Sequence, residues 1–135
     1  KMFINQKKTK SLLVHGKQNP AKLDANTPLR LDIKINGSVI DEVPSHKILG
    51  VSIDRHLNFE SHIDGLSKKL SKRIGLFKHI SPYLKRRQRE TYYNSVIKPT
   101  LLYGSMVWDN CNVELLQRIL KLQKRAARII LEAIF

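Results

Sequence analysis

The chain has 135 residues, 41% of them hydrophobic, and its 25 Lys or Arg against 11 Asp or Glu give a net charge of +14 at pH 7. This composition excludes a disordered basic tail, and the excess of positive charge predicts an anionic partner. A single cysteine, Cys111, excludes an internal disulfide and a cysteine-based zinc site.

The sequence shows neither a membrane-spanning segment nor a secretory signal peptide. No apolar run reaches the roughly 18 residues that span a bilayer, and no signal-peptide pattern is present. We therefore expect no membrane partner and an intracellular location, in the nucleus or the cytoplasm. The chain starts at Lys1 and ends within an apolar helical pattern at Phe135, so we expect a fragment of a longer protein.

The first part of the chain predicts short strands. The apolar run 12–14 is typical of a strand, and the Gly, Asn and Pro residues of 16–28 indicate a loop. Apolar and polar residues alternate over 31–36, which predicts a half-buried strand. Asn36-Gly37 is the strongest short signal for a hairpin turn, and the return strand is expected within 39–43.

Residues 46–54 predict one further strand, which is the last β element of the chain. Ile48, Leu49, Val51 and Ile53 are apolar, which is typical of a buried strand, and Gly50 interrupts them. Because a glycine within a strand marks a bulge or a close approach by another backbone, Gly50 becomes a candidate contact point. Asp54 is expected to cap the turn that follows, with no catalytic role.

Helices are predicted from Asn58 onward. Asn58 is a suitable N-cap, and a helical apolar stripe of five turns follows it. The positions of this stripe are Phe59, Ile63, Leu66, Leu70, Ile74 and Phe77. A second helix is expected from about Lys85, with a break or kink at Pro99. A short helical piece over 100–108 follows it.

The last helix is predicted from Val113 to the chain end, and its inward positions are expected to be Leu116, Ile119, Leu120, Ala127 and Ile130. The predicted fold is therefore α+β. About four antiparallel strands in residues 1–56 precede a three- to four-helix bundle in residues 57–135.

Basic residues cluster at three places in the predicted bundle. Like charges spaced i,i+4 destabilise a helix by roughly 0.2–0.5 kcal/mol per pair, so stability alone does not explain them. Such clusters are typical of proteins that bind a phosphate backbone, although a solvated face is the simpler alternative for any one residue. The candidate nucleic-acid-binding residues are Lys68, Lys69, Lys72, Arg73, Arg86, Arg87, Arg118, Lys121, Lys124, Arg125 and Arg128, with Lys85 and Arg89 beside them.

Catalytic patterns are harder to find. His56 and His62 have no partner at metal-ligand spacing, and no Ser, Cys and His arrangement indicates a nucleophile. Aromatic side chains can stack on bases, but on apolar helix faces they are more often part of the core. We interpret Tyr92, Tyr93, Tyr103 and Trp108 as core residues.

Four segments, in order, resemble the reverse transcriptases of non-LTR (LINE, jockey-like) retrotransposons. Asn5-Gln6-Lys7-Lys8-Thr9 is similar to the family's Asn-x-x-Lys-Thr segment. The segment Val43-Pro44-Ser45-His46-Lys47-Ile48-Leu49-Gly50-Val51-Ser52-Ile53-Asp54, with Leu57-Asn58-Phe59 after it, is similar to the family's Val-x-x-x-Lys-x-Leu-Gly-Val-x-Ile-Asp-x-x-Leu-x-Phe segment. Residues 97–104 with Trp108, and residues 122–128, resemble later segments of the family.

The resemblance implies the end of a polymerase palm in residues 1–56 and a thumb in residues 57–135. Leu49 and Gly50 would form the primer grip, and the thumb would bind an RNA–DNA or DNA duplex with its basic face. The rest of the palm and the fingers would be partners of this chain. Lys8 matches a family lysine to which proton donation to departing pyrophosphate is sometimes assigned.

The same resemblance implies that catalysis depends on other residues. The family holds two metal ions, expected to be Mg²⁺, with a Tyr/Phe-x-Asp-Asp hairpin and an upstream aspartate. This chain contains no Asp-Asp pair, so we expect it to lack a metal cofactor and to be inactive alone. Two alternatives remain open: a stand-alone basic nucleic-acid-binding module and a helical protein-interaction module, each from a decayed element.

Overall fold

The computed structural model describes residues 4–5, 8–16 and 32–132 of the chain. The chain forms two compact units, Lys1–Asn58 and Phe59–Phe135. Strands β1 (Lys34–Ile35), β2 (Ser38–Val39), β3 (Ser45–Ile48) and β4 (Val51–Asp54) belong to the first unit, and the helices belong to the second. The predicted α+β class is confirmed.

The described strands pair as two antiparallel hairpins, β1 with β2 and β3 with β4. The predicted Asn36-Gly37 turn is confirmed, since it joins β1 to β2 with φ angles of 49° and 80°. The prediction at 12–14 is wrong, because a strand needs a ladder and the pairing there is one parallel bridge between Ser11 and Glu42. Leu31, predicted to begin β1, lies outside the described residues.

The prediction of one buried strand over 46–54 is also wrong. Leu49 and Gly50 have φ angles of 47° and 86°, so they form a two-residue turn between β3 and β4. Because both central residues have positive φ, this is the primed turn that suits the twist of a hairpin. Gly50 therefore serves the turn and does not mark a bulge, and Leu49 is exposed rather than buried.

The turn after β4 is organised by Asp54. Its Oδ1 accepts hydrogen bonds from the backbone N–H groups of His56 (3.0 Å) and Asn58 (3.1 Å), as predicted for a turn-capping carboxylate. The prediction that Asn58 caps the first helix is wrong. Phe59 occupies the N-cap position in a left-handed conformation, without a side-chain cap hydrogen bond.

The helical unit begins with α1 (Glu60–Ile80) and a 3₁₀ turn (Ser81–Tyr83). It continues with α2 (Arg86–Tyr92), a π turn (Tyr93–Ile97) and α3 (Lys98–Leu102). The last elements are α4 (Ser105–Trp108) and α5 (Val113–Leu131). None of the helices in the described part is long and apolar enough to cross a membrane.

The buried stripe of α1 matches the prediction at all six positions, from Phe59 to Phe77. Leu70, Ile74 and Phe77 are fully buried, and the Phe77 ring stacks on Tyr92 with centroids 4.8 Å apart. Trp108 is buried, and its Nε1 donates to the Tyr103 carbonyl at 3.2 Å. The core interpretation is thus confirmed for Trp108. Tyr92 and Tyr93 are half-buried, and the interpretation is wrong for Tyr103, which is exposed.

Pro99 is accommodated without a break in the helix. The π turn precedes it, and the Lys98 N–H donates to the Tyr93 carbonyl, five residues back. Lys98 itself stays helical, contrary to the expectation for a residue before proline. The Val96 carbonyl accepts from the Thr100 hydroxyl and from the Arg73 guanidinium, each at 2.8 Å. Arg73 also donates to Thr100, so it joins α1 to the distorted segment.

The inward face of α5 differs from the prediction in part. Ile119 is buried and Leu116 and Ile130 are half-buried, but Leu120 and Ala127 are exposed. The buried face follows Ile119 and Ala126, and at 100° per residue Leu120 and Ala127 fall on its flank. Asn112 caps this helix by accepting from the Glu114 N–H at 3.1 Å.

Replacement of Leu70 by alanine tests the α1 core. Leu70 is fully buried, so we expect Leu70→Ala to lower the free energy of unfolding by about 2–5 kcal/mol, as cavity-forming changes do. Leu76 is 55% exposed on the same helix, and Leu76→Ala should change it by less than about 0.5 kcal/mol. Urea denaturation monitored by circular dichroism measures both, and equal effects would contradict the assigned faces.

A second prediction concerns Arg73. Arg73→Met keeps most of the aliphatic stem but removes the donors to Val96 and Thr100. We expect a loss of about 1–3 kcal/mol in unfolding free energy, because a partly buried acceptor loses a charged donor. Lys72→Met, at the exposed neighbouring position, is the control in the same urea experiment. No difference between the two variants would show that Arg73 does not support the π turn.

Candidate nucleic-acid interface

The tip of the β3–β4 hairpin exposes an apolar side chain. Leu49 is 86% exposed and its neighbour Ile48 is 47% exposed. The first hairpin has Asn36 at the equivalent turn position, where asparagine is preferred. A left-handed conformation costs a residue such as leucine about 1–2 kcal/mol. Leucine is therefore an unfavourable residue for the turn itself.

The basic residues of α1 do not share one environment. Lys68, Lys69 and Lys72 are exposed, and Lys68 and Lys72 lie opposite the buried Leu70 by helical spacing. Lys69 lies on the flank of the helix. Arg73 is half-buried and bound to Val96 and Thr100, so the structure gives its guanidinium an internal role.

The basic residues of α5 lie on its outer surface. Lys121, Lys124, Arg125 and Arg128 are all exposed. Arg118 begins the series and forms an ion pair with Asp64 of α1 at 2.7 Å. Since a helix rises 1.5 Å per residue, the series from Arg118 to Arg128 extends over about 15 Å. That length matches several phosphates of a nucleic-acid strand, which are spaced by about 3.4 Å along the axis of a DNA duplex.

The basic residues of the third cluster, at the start of α2, differ in exposure. Arg87 is exposed, and Arg86 is paired with Glu90 at 3.2 Å on the same helix. Arg89, which the sequence places beside them, is buried instead. Its Nε donates to the Ser81 carbonyl at 3.0 Å and its guanidinium forms an ion pair with Glu132.

A cavity of about 450 Å³ lies within the helical unit and brings together cations that are far apart in sequence. Its lining residues are Lys78, Ser81, Pro82, Arg89, Arg125, Arg128, Ile129 and Glu132. Lys78 was not among the sequence candidates. No local pattern could have indicated it, because its basic neighbours in the cavity come from α2 and α5.

The Asn5–Thr9 segment forms a local turn in its described residues. The Asn5 carbonyl accepts from the Lys8 N–H at 3.1 Å and from the Thr9 hydroxyl at 2.9 Å. Lys8 is exposed. Gln6 and Lys7 of the same motif lie outside the described residues.

The described residues offer neither a metal site nor an activated nucleophile of the cysteine type. No three His, Cys, Asp or Glu side chains converge in residues 4–5, 8–16 and 32–132. Cys111 is buried, and burial raises the pKa of its thiol. That shift favours the protonated form over the reactive thiolate.

The chain is similar to RNA-directed DNA polymerases from transposable elements. The chain is 29% identical over 125 residues to a probable RNA-directed DNA polymerase from transposon BS of Drosophila melanogaster, covering 84% of this chain. It is 29% identical to the X-element enzyme and 28% identical to the jockey enzyme of the same organism, covering 67% and 71% of this chain.

The similarity concerns a small part of each relative. The chain spans 14% of the BS enzyme and 11% of each of the other two. No protein-family model matches the chain, and no solved structure matches it. The resemblance predicted from the motifs is confirmed: over most of its length the chain is similar to a segment of the RNA-directed DNA polymerases of jockey-like transposable elements.

Proposed function

We propose that this chain is a segment of the RNA-directed DNA polymerase of a non-LTR retrotransposon, and that it binds the template–primer duplex. The main support for this proposal is the run of exposed cations on α5, from Lys121 to Arg128. The second support is that the chain is similar to RNA-directed DNA polymerases. In this proposal the helical unit is the thumb, and the strand unit is the end of the palm.

Duplex binding by the helical unit would be electrostatic. Lysine and arginine side chains neutralise phosphates and release condensed counterions, which makes the affinity depend on salt but not on sequence. Exposed cations on α1 and α5 suit this mode because their charged groups reach solvent. By contrast, Arg73 and Arg89 are bound to backbone carbonyls of the unit, so in this proposal they hold the surface in place.

The β3–β4 hairpin would provide the primer grip. A hairpin tip can approach a nucleic-acid backbone closely, since Gly50 has no side chain and Leu49 is exposed. The Leu49 side chain would then pack on a sugar or base of the primer end. Such a contact would account for a leucine at a left-handed position where asparagine is favoured.

Nucleotidyl transfer would require residues from another part of the polymerase. The chain has no Asp-Asp pair, and its described acidic residues do not converge. Any Mg²⁺ would therefore be held by the rest of the palm, which would be a partner of this chain together with the fingers. Lys8, exposed on its turn, would serve at most as an accessory proton donor in the assembled enzyme.

Salt dependence tests the electrostatic interface. Lys121→Gln should weaken binding to an RNA–DNA hybrid and to unrelated DNA duplexes by a similar factor, and should lower the slope of log K against log salt concentration by about one. Lys34→Gln removes the same charge from an exposed strand position and should leave the slope unchanged. Fluorescence anisotropy over a series of KCl concentrations measures both.

Two results would contradict this interface. One is binding by the unmodified chain that does not respond to salt. The other is an equal loss in the two variants, because that would show an effect of net charge alone. Preferential binding of an acidic protein over duplexes, measured in the same assay, would favour the protein-interaction alternative.

The primer grip is tested by Leu49→Asn. Asparagine suits the left-handed turn, so the hairpin should persist while the apolar side chain is lost. We expect affinity for a duplex with a recessed primer 3′ end to fall about tenfold, as lost burial of a leucine side chain predicts. Affinity for a blunt duplex of the same length should change less. An unchanged preference for the recessed end would rule out a role for Leu49 at the primer terminus.

A further inference from the structure

The cavity in the helical unit is lined by cations from three separate elements. Lys78 comes from the last turn of α1, Arg89 from α2, and Arg125 and Arg128 from α5. Glu132 is the one acidic residue of the lining. The lining therefore holds four positive charges against one negative charge.

Packing alone does not explain this grouping. Cations that face one cavity repel one another, and the repulsion grows as the surroundings become less polar. Arg89 is buried and held by the Ser81 carbonyl, so at least one of the cations is fixed in place by the fold. The other three cations, Lys78, Arg125 and Arg128, are exposed side chains that line the same cavity.

Glu132 shows how the cavity stabilises an oxyanion. Its carboxylate forms an ion pair with the buried Arg89 guanidinium, although the Glu132 side chain itself is largely exposed. This single carboxylate leaves the lining with an excess of positive charge. An external anion would complete the balance, and it would compete with Glu132 for Arg89.

We propose that this cavity is a binding site for a phosphate group. Arginine presents a planar fork of donors that suits phosphate, and lysine supplies a point charge to the same group. The volume of about 450 Å³ exceeds that of one phosphate and lies in the range of ligand pockets. Pro82 and Ile129 add apolar side chains to its lining.

The phosphate has two possible sources, a nucleic-acid strand or a free phosphate compound. In the first case the inference rests on the proposed function, and the cavity fixes the register of one phosphate beside the exposed α5 cations. In the second case the cavity binds a free phosphate compound in the absence of a duplex. The chemistry of recognition is the same, so the experiment has an arm for each source.

The test titrates inorganic phosphate into the full 135-residue chain and follows arginine Nε–H and backbone NMR signals. Lys78→Gln/Arg125→Gln should weaken phosphate binding at least about tenfold, as loss of two charged donors predicts. Lys34→Gln/Lys98→Gln removes the same charge from exposed positions outside the cavity and should leave the affinity within about twofold. Circular dichroism confirms that each variant is folded.

Glu132→Gln should change the phosphate affinity in the opposite direction. It removes the internal competitor of the ligand without changing side-chain size, so phosphate should bind more tightly, by about threefold or more. Equal phosphate affinities in all four proteins, or shifted signals that do not include the cavity residues, would overturn the inference.

The second arm repeats the titration in the presence of a DNA duplex. Displacement of phosphate from the cavity signals by the duplex assigns the site to a nucleic-acid phosphate. Phosphate binding that persists in the cavity while no salt-dependent duplex binding is found supports a free phosphate ligand. That outcome would contradict duplex binding but would support the phosphate site. The experiment therefore distinguishes a failure of the proposed function from a failure of the phosphate-site proposal.

Discussion

Burial of one apolar stripe on α1 is the constraint on which the helical unit depends. The stripe runs from Ile63 to Phe77 without an exposed member, and its burial fixes which sides of α1 face solvent. Lys68 and Lys72 are exposed because they lie opposite this stripe. Arg73, on its flank, reaches the Val96 carbonyl. The hydrophobic pattern thus decides which cations can meet a ligand and which support the fold.

The cations of the helical unit accordingly differ in use. Arg73 and Arg89 donate to backbone carbonyls, and Arg118 pairs with Asp64. Arginine suits such fixed contacts because its planar fork can hold several partners at once. Other cations, such as Lys121 and Arg125, lie on the exposed surface. A high net charge is tolerable here because part of it stabilises the fold that displays the rest.

The two hairpins of the strand unit differ in how well their turn residues suit the turn. Both turn through a pair of residues with positive φ that ends in glycine. Asn36 is the residue that such a turn favours, whereas Leu49 is not. A local rule is followed in one hairpin and broken in the other, and conflicts of this kind tend to occur at functional positions. The exposed Leu49 is therefore the part of the strand unit most closely tied to the proposed duplex contact.

The sequence by itself determined the α+β order, the Asn36-Gly37 turn, the α1 stripe and the resemblance to jockey-like polymerases. These depend on local periodicity, turn chemistry and short motifs, all of which act within a few residues. Only the structure decided that Leu49 lies in a hairpin turn, that Leu120 is exposed, and that Arg89 is buried. It also brought Lys78 to the α5 cations. The exposure of Leu120, the burial of Arg89 and the position of Lys78 depend on which helix faces meet, and contacts between residues distant in sequence leave no local pattern. The Leu49 turn was missed because leucine is not a residue that such a turn favours.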